Sequence, residues 1–111
     1  MSFLYQNPSM SHDEATKFLA SGVDTNVIAA LVSIGLNEDD RTWAQNTCLN
    51  YLASETESVA ASAVTALGHI ARRHSRLDRY RVLPALATVK NKFPSLEGIV
   101  ADTLDDIDAF T

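Results

Sequence analysis

An apolar stripe at helical spacing recurs three times along the chain, and this recurrence limits the possible folds more than any other feature. Val59, Ala63, Leu67 and Ile70 share one helix face. Moved forward by 37 residues, the stripe falls on Leu96, Val100, Leu104 and Ile107; moved back by 36, it falls on Val23, Val27, Leu31 and Ile34. The forward shift also carries Leu49 and Leu52 onto Leu86 and Val89. Two helices per unit of ~37 residues is the pattern of an α-solenoid, whose units bury their apolar faces only by stacking. The expected fold class is therefore all-α: a short solenoid of about three antiparallel helix pairs. It would form a single domain over residues 1–111, with an extended segment over residues 1–10. A compact bundle with coincident stripes is the alternative.

Local signals mark six helix starts. Ser11 with Glu14 three residues on reads as a capping box, and Gly22 can end that first helix. Asp24 or Thr25 opens the second, Asn37 and the acids Glu38, Asp39 and Asp40 the third, and Thr56 the fourth. Asp78 leads into the fifth, where Pro84 is expected in the first turn because a proline deeper inside removes a backbone bond. Ser95 is expected to open the sixth.

Composition removes several classes. Four glycines and three prolines are too few for the frequent turns of an all-β chain. One cysteine, Cys48, excludes a disulfide framework. The longest apolar run, Val27 to Val32, is six residues, too short to span a membrane. The opening residues lack the basic and apolar regions of a signal peptide, so the expected location is cytoplasmic. The net charge of −5 disfavours nucleic acid as a partner. Charge is also banded. Residues 61–93 hold seven bases and one acid, and residues 94–111 hold five acids and no base.

Several blocks of residues resemble a known family. They are Trp43-Ala44-Gln45 with Cys48-Leu49, Leu67-Gly68-His69-Ile70-Ala71-Arg72 with His74, and Leu77-Asp78 with Val82 and Pro84. Asp102 with Leu104-Asp105-Asp106-Ile107 completes the set. Together they are similar to short bacterial HEAT-like repeat proteins that serve as immunity proteins in contact-dependent growth inhibition and related polymorphic toxin systems. The resemblance covers about residues 41–110; residues 1–36 match no pattern of that family. It implies a bacterial cytoplasmic protein that binds and neutralises a cognate toxin domain, with no catalysis. A small HEAT-like adaptor without a toxin partner is the alternative function.

The residues themselves offer little catalytic chemistry. His69 and His74 are five apart, so they project about 140° apart and do not make the four-residue spacing of a zinc pair. No metal or cofactor is expected. His69 falls opposite Asp106 under the 37-residue shift and is expected to form a structural polar pair with it. Cys48 reads as a small buried hydrophobe, and Trp43 as core between the third and fourth helices.

The carboxylates near the C-terminus are more telling. Asp102, Asp105, Asp106 and Asp108 sit in the last turns of a helix, where aspartate propensity is poor and negative charge opposes the dipole. A sequence that breaks a local rule often does so for a task. Asp106 is expected to face inward, and Asp105 to reach Arg72 or Arg73 if it is internal at all. Asp102, Asp105 and Asp108, with Glu97 on the same helix, are the expected partner-binding acids for a basic toxin domain such as a nuclease. Tyr51 and Tyr80 are the candidate aromatic contacts.

Overall fold

The computed structural model describes residues 9–111, so most of the expected extended segment 1–10 lies outside the described residues. Six helices follow in order: α1 (His12–Ala20), α2 (Asp24–Asn37), α3 (Arg41–Leu52), α4 (Glu57–His74), α5 (Arg79–Lys92) and α6 (Glu97–Phe110). A 3-10 turn over Pro94–Leu96 leads into α6, and no strand occurs among the described residues. The all-α expectation holds.

Two helix starts form as their sequences dictate. The Ser11 hydroxyl accepts the Glu14 amide at 3.1 Å while the Glu14 carboxylate accepts the Ser11 amide at 3.0 Å, a complete capping box. Asp40 accepts the Trp43 amide at 3.0 Å and caps α3. Gly22 turns the chain out of α1 at φ +71, backbone that only glycine adopts without strain. Two expectations fail. Pro84 is the sixth residue of α5, in the second turn rather than the first. The missing bond is the one to the carbonyl of Tyr80, a residue at the exposed end of the helix where water can replace it. Ser95 does not cap α6; it lies within the 3-10 turn, and its hydroxyl donates to Glu57 Oε1 at 2.9 Å, tying the start of α6 to the start of α4.

Helix α4 lies at the centre. It packs against α2 on one side, α6 on the other and α3 behind, while α5 packs on α3 and on the start of α6, and α1 packs on α2. The α2, α4 and α6 helices thus form one layer, with α3 and α5 backing it. Of the three related stripes, every residue is buried except Val23, which precedes α2 and is exposed, and Leu104, which is half-buried. Each fully buried leucine or isoleucine contributes about 1.5–3 kcal/mol to the fold. Close helix approach depends on small residues. A Cβ on Gly35 of α2 would stand 2.8 Å from Ala66 Cα of α4. A Cβ on Gly68 of α4 would stand 3.1 Å from Asp106 Oδ2 of α6.

Polar side chains fix the layers. Buried Thr103 of α6 donates to the Val64 carbonyl of α4 at 3.1 Å. Gln45 of α3, fully buried, donates to Asp78 Oδ2 at 2.9 Å and accepts the Asp78 amide at 2.8 Å, holding the loop before α5. Trp43 is not a full core residue. It is half-buried against the core, and its ring centroid lies 4.1 Å from that of His12 at the start of α1.

Candidate functional site

The basic band of residues 72–81 is mostly spent inside the fold. Arg73 donates to the Gly35 carbonyl at 3.3 Å and the Glu38 carbonyl at 3.1 Å, and His74 Nε2 donates to the same Glu38 carbonyl at 3.1 Å. Both thereby supply donors to the open C-terminal carbonyls of α2, and Arg73 adds positive charge there. Arg81 donates to Asn46 at 2.9 Å. Arg72 pairs with Asp106 at 3.1 Å, and Arg79 with Asp108 at 2.9 Å. These last two pairs are largely exposed and position side chains more than they stabilise.

Those pairings sort the C-terminal acids. Asp106 faces the α4–α6 seam, as expected, but its ion partner is Arg72; no hydrogen bond joins it to His69. Asp105 does not reach Arg72 or Arg73, because it lies about 100° round the helix from Asp106 and points away from α4. Glu97, Asp102, Asp105 and Asp108 are all exposed and share the solvent side of α6. Among the described residues, Glu97, Asp102 and Asp105 have no ion-pair partner, while Asp108 is held by Arg79 across to α5. The two tyrosines stand elsewhere. Tyr80, 79% exposed, lies on α5, and Tyr51 is half-buried on α3 against the core. Both belong to the backing layer, so the fold does not bring them onto the acidic side of α6.

His69 remains neutral more readily than an ordinary histidine. Burial of the ring lowers its pKa most, and the Arg72 guanidinium adds to this; nearby Asp106 opposes both without cancelling them. Cys48 is buried, and desolvation alone pushes its thiol up to about 12, which leaves it unreactive in the folded state. No group of three metal-ligating side chains occurs among the described residues, and none of their helices is long and apolar enough to cross a membrane.

Between α2 and α4 lies an open groove of about 360 Å3, lined by Val32 and Leu36 from α2 and by Ala61, Ser62, Thr65 and His69 from α4. Its signal was present in the sequence. The run Val27 to Val32 makes α2 apolar on two faces, and only one of them, Val27, Leu31 and Ile34, enters the core. The second, Ile28, Val32 and Leu36, is left half-buried, and Val32 and Leu36 line the groove.

No family model matches the chain, and no curated protein matches it. Among solved structures, a chain of a CDI complex from Cupriavidus taiwanensis is similar along its whole length. It is 30% identical, superposes with a TM-score of 0.82, and the match covers 98% of each chain.

Proposed function

This chain belongs to the same family as that component of a CDI complex, and on that premise we propose that it is an immunity protein of contact-dependent growth inhibition. It would bind a cognate toxin domain one-to-one in the bacterial cytoplasm and block it without turnover. The observation that carries this reading is the likeness, end to end, to a chain of a complex of that system. The six helices read most simply as three HEAT-like pairs, α1/α2, α3/α4 and α5/α6, forming one domain. Their second members make the front layer.

The acidic side of α6 suits a basic partner. Glu97, Asp102 and Asp105 carry charge that no internal cation consumes, and Asp108 extends the patch towards α5. A toxin that cuts nucleic acid needs a cationic cleft for phosphates. Carboxylates on a rigid helix would compete for that cleft and speed encounter by charge steering. Tyr80 would add an aromatic contact only if the toxin wraps round to α5.

Calorimetry of the protein with the toxin domain encoded beside it tests the reading. The expected result is a tight one-to-one complex that abolishes toxin activity; no measurable binding would remove it. Replacing Asp102, Asp105 and Asp108 together by asparagine should slow association at low salt and leave dissociation nearly unchanged. An unchanged on-rate would show that patch to be ordinary solvated surface.

A further inference from the structure

The groove between α2 and α4 and the acids of α6 lie on one continuous face. On α4, Ser62, Thr65, His69 and Arg72 follow one another along the surface left open between α2 and α6. Arg72 meets Asp106 at 3.1 Å, which places Asp106 beside that row. Asp102 lies one turn before Asp106, hence on the same side of α6, and it is exposed without an ion pair. Going across the layer, the surface changes from apolar at Val32 and Leu36, through the His69 ring and the Arg72–Asp106 ion pair, to the unpaired carboxylate of Asp102.

We propose that this open face of the α2/α4/α6 layer is the toxin-docking surface, with the groove receiving a large apolar side chain of the toxin and Asp102 meeting a lysine or arginine next to it. The inference rests on the immunity reading above and deepens it by locating the interface and its anchor. Charge complementarity selects the occupant: an apolar slot on a face that carries the unpaired Asp102 carboxylate beyond the Arg72–Asp106 pair suits an apolar side chain with a cation some way from it, as on a protein that grips phosphates. A small metabolite fits less well. The groove is open, and its polar lining is sparse; the Ser62 hydroxyl is already spent on the Ser58 carbonyl at 3.0 Å. Among the described residues His69 makes no hydrogen bond, so its ring nitrogens are available to the incoming chain. Buried anchor pockets of this kind concentrate binding energy, whereas the exposed rim mostly sets the rate of encounter.

The test uses the full-length protein and the toxin domain encoded beside it. Ser62→Trp fills the groove, and Thr65→Arg places a cation on its rim. Circular dichroism establishes that each variant is folded, and Thr65→Arg, at an exposed helical position, serves alone should Ser62→Trp fail to fold. Each is expected to weaken the complex by at least about tenfold, chiefly through faster dissociation. Ala87→Gln, at an exposed position on the backing helix α5, is expected to leave affinity within about twofold. Wild-type affinity in the folded groove variants, or a large loss confined to Ala87→Gln, overturns the docking site while leaving the immunity reading intact. Groove variants that alter only self-association of the chain also overturn it, in favour of a second copy as the occupant. Absence of toxin binding by the wild-type protein overturns both.

Discussion

Gln45 and Asp78 form a two-point bridge: the carboxamide nitrogen of one donates to the carboxylate of the other at 2.9 Å, and its oxygen accepts the amide of the same residue at 2.8 Å. Arg41 adds a third contact to the Gln45 oxygen at 3.3 Å. Because Gln45 has no exposed surface, removing its side chain leaves a cavity and takes away the acceptor of the Asp78 amide, while the partly exposed Asp78 carboxylate keeps Arg81 at 3.7 Å. Gln45→Ala is expected to cost about 2–4 kcal/mol from lost packing and unsatisfied groups. Gln45→Glu sets two carboxylates against each other and should destabilise at pH 7, with recovery as the pH falls and the pair takes up a proton. Urea unfolding of both variants at two pH values checks this, and a fully stable Gln45→Glu at pH 7 would contradict it.

Two glycines should respond oppositely to the same substitution. Gly35→Ala drives a methyl group to 2.8 Å from the Ala66 backbone, so α2 and α4 must separate. The expected loss is about 1–3 kcal/mol. Gly98, in the first turn of α6, has nothing near its missing Cβ. Gly98→Ala is expected to stabilise by a few tenths to about 1 kcal/mol. Thermal melts that rank the two in the reverse order would refute the close crossing.

Ser75 ends α4 in the left-handed region, at φ 54. A serine there costs roughly 1 kcal/mol relative to its right-handed backbone. Ser75→Gly is therefore expected to raise the melting temperature by a few degrees, roughly 4–8 °C per kcal/mol for a domain of this size. A fall in melting temperature would show that the serine contributes something its geometry does not reveal.

His69 predicts a dependence on pH. Its folded-state pKa is lowered below the usual value near 6.5, by burial first and by Arg72 second. Between the folded and unfolded values the unfolded chain binds more protons, so the stability due to neutral His69 is complete above about pH 6.5 and is lost as pH falls through that window. A nuclear magnetic resonance titration should place the His69 ring below an ordinary histidine. The stability of His69→Gln should fall less than that of wild type on going from pH 7.5 to pH 5. A ring that titrates above the ordinary value would reverse the sign.

Cys48 supplies a probe of opening. With its thiol buried and its pKa pushed up to about 12, labelling by a thiol reagent at neutral pH should track unfolding of the chain. Rapid labelling of the fully folded protein would contradict the burial.

What could be read from the sequence was what neighbouring residues decide among themselves. Ser11 with Glu14 and Asp40 before Trp43 act within one turn, and both capped their helices as expected. The apolar stripes were legible for the same reason, since spacing along one helix defines a face. Ser95 and Pro84 were misplaced because Glu57, 38 residues away, claims the serine hydroxyl, and because α5 starts early enough to take the proline into its second turn. The choice of arginine by each acid depends on how far α6 is rotated against α4. That rotation decides Asp106 over Asp105 for Arg72 and is not written at either position. Gln45 and Asp78 were noticed only as family-like letters, and their contact needed the third dimension. The second apolar face of α2 is written in the run Val27 to Val32, but whether a neighbour covers it depends on the tertiary packing.

Helix α4 is enclosed by α2, α3 and α6, so no third of the chain owns a private interior. Stripping away the last helix would bare Gly68 and deprive the Val64 carbonyl of the Thr103 hydroxyl; stripping away the second would bare Ala66. Loss of either neighbour is therefore expected to reach the middle, so that α2, α4 and α6 should open in one cooperative step and not by peeling apart in sequence.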